Sequence, residues 1–377
     1  MPDSNANKIK VLIVEDSITA RTMLKMMLER APDIRVVDTA RDPFDAVEKM
    51  KNGLPDVILL DIEMPRMDGL TFLRRIMSQH PLPVVICSNH TAAGSDTALK
   101  ALSMGAVEVL SKGDLGHTIS DDAKMRICDV VRAASHARVR PNRTAAAAPP
   151  PPPAPPKPLV AEKKLSADVI MPRRSANTRT PINTPPLVAM GASTGGTDAL
   201  AQVLEKLEPN CAPIIIVQHM PERFTEAFAR RLNGLCKINV KEAAQGDILE
   251  PGSALIAPGH SHVTITREGR HYRCNVVNGP FVCRHRPSVD VLFRSVSIEA
   301  GSNVLGVLMT GMGDDGAEGM VEMKEAGAVT LAQNEASCVV YGMPREAVLR
   351  GGASREVHLN AIAQEIMKFS SGVTARA

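Results

Sequence analysis

Short apolar runs alternate with longer stretches in which apolar residues recur at helical spacing, a rhythm that predicts buried strands separated by helices. In the first third of the chain the apolar runs fall at residues 8–14, 34–37, 57–60, 84–87 and 107–110, and helical spacing covers 18–30, 43–51, 70–78, 97–104 and 122–134. Ser17 stands where it can cap the first of these helices. Five strands alternating with five helices over residues 8–134 predict a doubly wound α/β domain with a parallel sheet. The rhythm stops near residue 138 and resumes at 187, with strands at 187–190, 214–218, 304–310 and 328–331 and helices at 197–207, 222–235 and 316–326. Between them, 254–256, 263–267 and 272–277 read as short antiparallel strands turned by Glu268-Gly269. A second doubly wound domain, residues 187–370, is therefore expected, mainly parallel and with an antiparallel insertion.

Composition changes this picture chiefly between the two domains. Thirteen of the 28 prolines lie in residues 138–186, five of them consecutive from Pro149 to Pro153. Such a Pro/Ala/Arg-rich stretch buries no core and is expected to be a flexible, partly polyproline-II linker. It also carries nine Arg or Lys against two acids, so the net charge of +3 belongs to the linker and the rest of the chain is net acidic. With no Trp and two Tyr there is no stacking surface for bases, and nucleic acid is not an expected partner. Seven scattered cysteines without a Cys-x-x-Cys pair suit reduced thiols. No apolar run approaches the length of a membrane span and the N-terminus lacks a signal core, so a soluble cytoplasmic protein without direct membrane insertion is expected.

The chemistry of the first domain lies at strand ends. Glu15, Asp16, Asp61, Ser88 and Lys112 each follow a predicted strand, on the edge where open α/β sheets place their sites. Three carboxylates gathered there repel one another, and a divalent cation relieves that cost; Mg²⁺, a hard ion that keeps waters, is the natural choice. An acidic pair, an Asp, a hydroxyl residue and a Lys in this order resemble the receiver domains of bacterial two-component response regulators, over residues 8 to about 134. The resemblance implies a flavodoxin-like fold, Asp61 as phospho-acceptor, Mg²⁺ held by Glu15, Asp16 and Asp61, and Ser88 and Lys112 as switch residues that bind the phosphoryl group. Val109 and Gly113 depart from it, where many receivers carry an aromatic residue and a proline.

In the second domain Gly191-x-Ser193-x-Gly195 lies between a predicted strand and a predicted helix, a turn that exposes a serine beside free N–H groups. His219 follows another strand, and Asp314 and Asp315 follow a third. Parallel strands would bring a hydroxyl, an imidazole and a carboxylate to one sheet edge, as nucleophile, base and orienting acid require. Thr194 and the turn Gly311-Met312-Gly313 could supply oxyanion donors. His260, His262 and His285 form a rival set, able to ligate Zn²⁺ but without a Cys or acid at ligand spacing. Spacing does not choose between Asp314 and Asp315.

The motifs Gly-Ala-Ser-Thr-Gly-Gly, Gln-His-Met-Pro, His-Arg-Pro-Ser-Val-Asp and Thr-Gly-Met-Gly-Asp-Asp-Gly resemble those of the protein-glutamate methylesterases of bacterial chemotaxis, which also join a receiver to this domain through a linker. The resemblance implies Ser193 as nucleophile, His219 as base, Asp315 as orienting acid, Thr194 and Met312 as oxyanion donors, and Arg284, His285 and Arg286 around the substrate cleft. It further implies hydrolysis of glutamyl methyl esters, and deamidation of glutamines, on the cytoplasmic helices of chemoreceptors. No cofactor is expected for that step; a sensor histidine kinase would phosphorylate the receiver, which covers the cleft until then. A receiver-regulated hydrolase of another protein ester or amide, and a non-catalytic response regulator, are the alternatives.

Overall fold

The computed structural model describes residues 8–64, 68–88, 92–112, 121–139, 164–173 and 185–372. The first domain alternates strand and helix: β1 (Ile9–Val14), α1 (Ile18–Leu28), β2 (Ile34–Ala40), α2 (Pro43–Met50), β3 (Val57–Asp61) and α3 (Gly69–Gln79). It continues with β4 (Val84–Ser88), α4 (Ala92–Ser103), β5 (Glu108–Ser111) and α5 (Asp121–Ser135). All neighbours in the sheet are parallel, in the order β2-β1-β3-β4-β5. Along β1, Val11 and Ile13 face α1 and α5 while Leu12 and Val14 face the opposite helix layer, so both sides of the strand are buried there and residues 11–14 are a continuous apolar run. Ser17 caps α1, accepting from Ala20 N at 3.3 Å. The helix predicted to begin at residue 97 begins five residues earlier.

The second domain opens with β6 (Leu187–Ala192), α6 (Gly196–Leu204), β7 (Ile214–Gln218) and α7 (Phe224–Asn233). Next come β8 (Asn239–Glu242), β9 (Ile248–Leu249), β10 (Ser253–Ile256), β11 (His262–Glu268), β12 (His271–Val277) and α8 (Val289–Ala300). The remainder is β13 (Val304–Leu308), α9 (Ala317–Glu325), β14 (Val329–Gln333), α10 (Met343–Leu349), β15 (Arg355–Val357) and α11 (Leu359–Ser370). Seven parallel strands run in the order β15-β14-β13-β6-β7-β10-β8, and β11, β12 and β9 make the antiparallel insertion. The connection from β6 passes to β7 on one side, while β13 later enters on the other. This reversal is a topological switch point, where a crevice opens beyond the carboxyl ends of the strands.

Three expectations change. Residues 254–256 form no antiparallel strand; β10 pairs parallel with β7 and β8, because its apolar run is covered on both faces by the main core. The helix α8 was not foreseen: its first turn lies inside the charged and proline-containing motif around Arg286 and Pro287, which reads as a loop. Residues 164–173 fall inside the expected flexible linker yet are folded onto the second domain. There Ala167 packs with Val282 and Val291, and Arg294 Nη1 pairs with Asp168 at 2.7 Å.

The domains pack against each other through α4, whose buried Leu99 and Leu102 share one apolar cluster with Phe228 of α7 and Ala199 of α6. Arg231 donates to the Leu99 carbonyl at 2.8 Å, and Arg138, just past α5, pairs with Glu335 at 2.7 Å.

Candidate active site

The first site sits at the carboxyl edge of the receiver sheet. Glu15 follows β1, Asp61 ends β3, and both are buried, whereas Asp16 is exposed. One carboxylate oxygen from each of the three lies within 4.8 Å of the others. Lys112 Nζ stands 2.8 Å from Glu15 Oε2 and 2.7 Å from Asp61 Oδ2, but those two oxygens have no aligned hydrogen bond. Burial pushes the Glu15 carboxyl up; the Lys112 contact opposes this and the Asp61 charge adds to it. Buried, crowded and incompletely paired oxygens are a donor set that a hard divalent ion would satisfy. Ser88 ends β4 on the same edge and is also buried; Gly113 lies outside the described residues.

The second site is assembled from β6, β7 and the segment after β13, three adjacent strands. Ser193 follows β6 directly, and its backbone is pinned by its own N–H to Thr310 O at 3.0 Å and by Gln218 Nε2 to its carbonyl at 3.0 Å. Gly195 adopts φ +77°, a left-handed turn that lets α6 start immediately behind the serine. Gly311 has a steric reason to be glycine, since a Cβ there would stand 2.7 Å from the Cβ of Ser193. His219 follows β7, and its Nε2 lies 2.8 Å from Asp315 Oδ2. Its Nδ1 is buried with no hydrogen-bond partner among the described residues.

Asp315 is saturated. Besides His219 it accepts from Ser288 Oγ at 2.8 Å, Val289 N at 2.8 Å and Asp290 N at 3.0 Å, the free donors at the start of α8. Burial opposes its ionisation, but these bonds and the His219 contact hold its carboxyl below the usual value. Asp314 turns the other way, to Lys164 at 2.7 Å and Arg350 at 3.0 Å. The choice that spacing left open is thus a matter of direction: the neighbouring residues of a turn point apart.

Ser193, Thr194, His219, His285, Arg284 and Met312 line one cavity of about 420 Å³. Among the described residues the N–H groups of Thr194 and Met312 donate no hydrogen bond, which leaves both available to a ligand oxygen. The His285 ring stacks on that of His219, with centroids 3.6 Å apart and planes 8° from parallel; burial, together with the charge His219 can carry, pushes His285 well below its ordinary value. Arg286 is not part of the cavity wall. It lies over the Phe281 ring at 4.8 Å and donates to Gly279 O. His262, of the rival zinc set, spends both ring nitrogens on backbone, Nε2 on Pro280 O and Nδ1 on Ser288 N, while His260 is exposed.

The receiver closes this cavity. Glu108 and Val109 of β5 and Met125, Arg126, Asp129, Val130 and Ala133 of α5 form its other wall. Asp129 Oδ2 reaches Arg284 Nη1 at 3.3 Å, and the Glu108 carboxylate faces the Thr194 hydroxyl. Enclosure between the domains pushes the Glu108 carboxyl up to about 7. Sequence reasoning assigned no role to Ser288, Glu108 or Lys164, although Ser288 lies inside the motif His-Arg-Pro-Ser-Val-Asp and Glu108 adjoins Val109.

A receiver sheet joined to a doubly wound domain with a hydroxyl, an imidazole and a carboxylate at its switch point defines the class of receiver-linked hydrolases. Two family models match in the same order, a response regulator receiver domain over residues 11–117 and CheB methylesterase over residues 188–366. A protein-glutamate methylesterase/protein-glutamine glutaminase of Rhizobium johnstonii is 53% identical over 96% of this chain and 98% of its own. Another from Geobacter metallireducens is 53% identical over 96% and 99%. The crystal structure of the Thermotoga maritima CheB methylesterase catalytic domain is 31% identical, covering 49% of this chain and 99% of that one with a TM-score of 0.48. The chain belongs to the CheB family of receiver-regulated protein-glutamate methylesterases and protein-glutamine glutaminases, enzymes of chemotactic adaptation. Among the described residues no helix is long and apolar enough to cross a membrane.

Proposed function

We propose that Ser193 attacks the carbonyl of a γ-glutamyl methyl ester while His219 takes its proton on the ring nitrogen not held by Asp315. The N–H groups of Thr194 and Met312 receive the oxyanion, His219 returns the proton to the departing methanol, and water hydrolyses the acyl-enzyme by the same route. A glutamine side chain follows the same course with ammonia as leaving group. The substrates are glutamyl side chains on the cytoplasmic helices of chemoreceptors, and the enzyme works in the cytoplasm. Arg284 and His285 border the cleft that receives them.

In the receiver, Asp61 accepts a phosphoryl group from a sensor histidine kinase. Glu15, Asp16 and Asp61 hold Mg²⁺, which supplies charge neutralisation for the transfer. Ser88 donates to a phosphoryl oxygen, and Lys112 exchanges its contact with Asp61 for the added charge. Phosphorylation then weakens the seat of β5 and α5 over the cleft.

The observation that carries this reading is the His219–Asp315 contact beside Ser193, at the carboxyl edge of three adjacent parallel strands. The test is methanol release from a methylated receptor by the full chain. Ser193→Ala is expected to lower it by about 10⁴-fold or more with an unchanged melting curve, and a serine-reactive phosphonate should label only the parent protein. Activity of the variant near the parent level would refute the assignment.

A further inference from the structure

The segment 164–173, taken from the sequence as part of a spacer, is built into the catalytic domain at several points. Leu165 O accepts from Cys283 N at 2.9 Å, in the same turn that carries Arg284 and His285. Ala167 is buried against Val282 and Val291, and Ile170 packs on that cluster. Asp168 and the Met171 carbonyl both engage Arg294, at 2.7 and 2.9 Å. Arg173 then bridges Glu318 and Glu325 of α9. These contacts fix the place of Lys164, which lines the cavity with Ser193 and His219.

The charges around Lys164 suggest a use. Among the described residues Asp314 is the one acid on the catalytic side of the cavity wall; it meets Lys164 at 2.7 Å and Arg350 at 3.0 Å, and Arg350 also stands 3.6 Å from Glu346. Arg284 lines the same wall, and its partner, Asp129, belongs to the receiver. With the receiver displaced, Lys164, Arg284 and Arg350 stand against Asp314 and Glu346, so the catalytic side of the mouth keeps one net positive charge, with Lys164 and Arg284 on the wall a substrate must pass. Such a mouth complements a substrate with carboxylates beside the reacting side chain.

We propose that residues 164–173 are a fixed strap of the catalytic domain and that Lys164 is a specificity-determining residue, selecting substrates with a carboxylate next to the reacting glutamyl group. This rests on the function proposed above. Lys164 leaves Asp314 to Arg350 when such a substrate binds, so its effect falls on binding and leaves the chemical step alone.

The test uses the full chain with a phosphodonor and two versions of a methylated receptor cytoplasmic fragment, with Glu or Gln beside the methylated position. The parent is expected to favour the Glu version about three- to fivefold through KM, the size a partly exposed ion pair gives. Lys164→Ala should erase the preference with kcat on the Gln version within about twofold, and Lys164→Arg should keep it. An unchanged preference in Lys164→Ala, or an equal loss on both fragments, overturns the strap inference alone. A parent that releases methanol from neither fragment overturns the proposed function and this inference with it.

Discussion

The two strand-edge sites make opposite use of a buried carboxylate. In the receiver, Glu15 and Asp61 share one ammonium, and an oxygen on each lacks an aligned partner. In the catalytic domain, Asp315 takes four donors within 3.0 Å, three of them from the start of α8. The first site is electrostatically unfinished and asks for an added charge. The second is complete before any substrate arrives, so that its imidazole is already oriented. The same sheet edge thus serves a switch when its carboxylates are left short of donors and a reaction centre when they are not.

The largest expected effect comes from undoing the complete site. Asp315→Asn keeps the shape but cannot hold His219 in the required tautomer, and kcat for methanol release should fall about 10³–10⁴-fold. A fall of less than tenfold would mean that the saturated carboxylate is only structural.

Undoing the unfinished site should cost regulation and spare the chemistry. Asp61→Asn is expected to abolish activation by a small phosphodonor, about five- to a hundredfold in an allosteric system of ordinary coupling, with basal turnover within about twofold. Steady-state methanol release with and without phosphodonor measures both numbers. Persisting activation would place the switch elsewhere.

The smallest effect tests the contact between the two regions. Docking raises the Glu108 carboxyl from its ordinary range to about 7, so the closed form favours the protonated side chain. Its seat is therefore firm below the ordinary carboxyl range and weakens as pH rises from there to about 7, levelling off above, which should open the cleft. Glu108→Gln stays neutral, and basal turnover of the unphosphorylated variant at pH 8 should be a few-fold below that of the parent, with the gap closing as pH falls toward the ordinary carboxyl range. Equal pH profiles would show that this carboxyl does not couple docking to protonation.

The alternation of apolar runs and helical spacing was enough to place the strands that matter, because β1, β3, β6, β7 and β13 are covered on both faces and must be apolar along their buried middles. It misplaced β10, since an apolar run of four residues is equally suited to a hairpin or a parallel sheet. It did not foresee α8, whose Ser288 cap follows a proline and a run of charge. Ser193, His219 and the pair Asp314-Asp315 stood out as residue types at strand ends, but Ser288 and Lys164 did not, because their importance comes from what lies opposite them.

The sequence by itself determined two doubly wound domains and the polar residues at the ends of their strands, since burial on both faces and the need for a turn after each strand are local constraints. Spacing left Asp314 and Asp315 open and the resemblance implied Asp315; the tertiary structure decided how Asp315 meets His219, that Arg286 packs on Phe281, and that Glu108 and Asp129 wall the cleft. Those outcomes depend on the direction of side chains across a turn and on surfaces brought together from distant parts of the chain, and no local pattern encodes either.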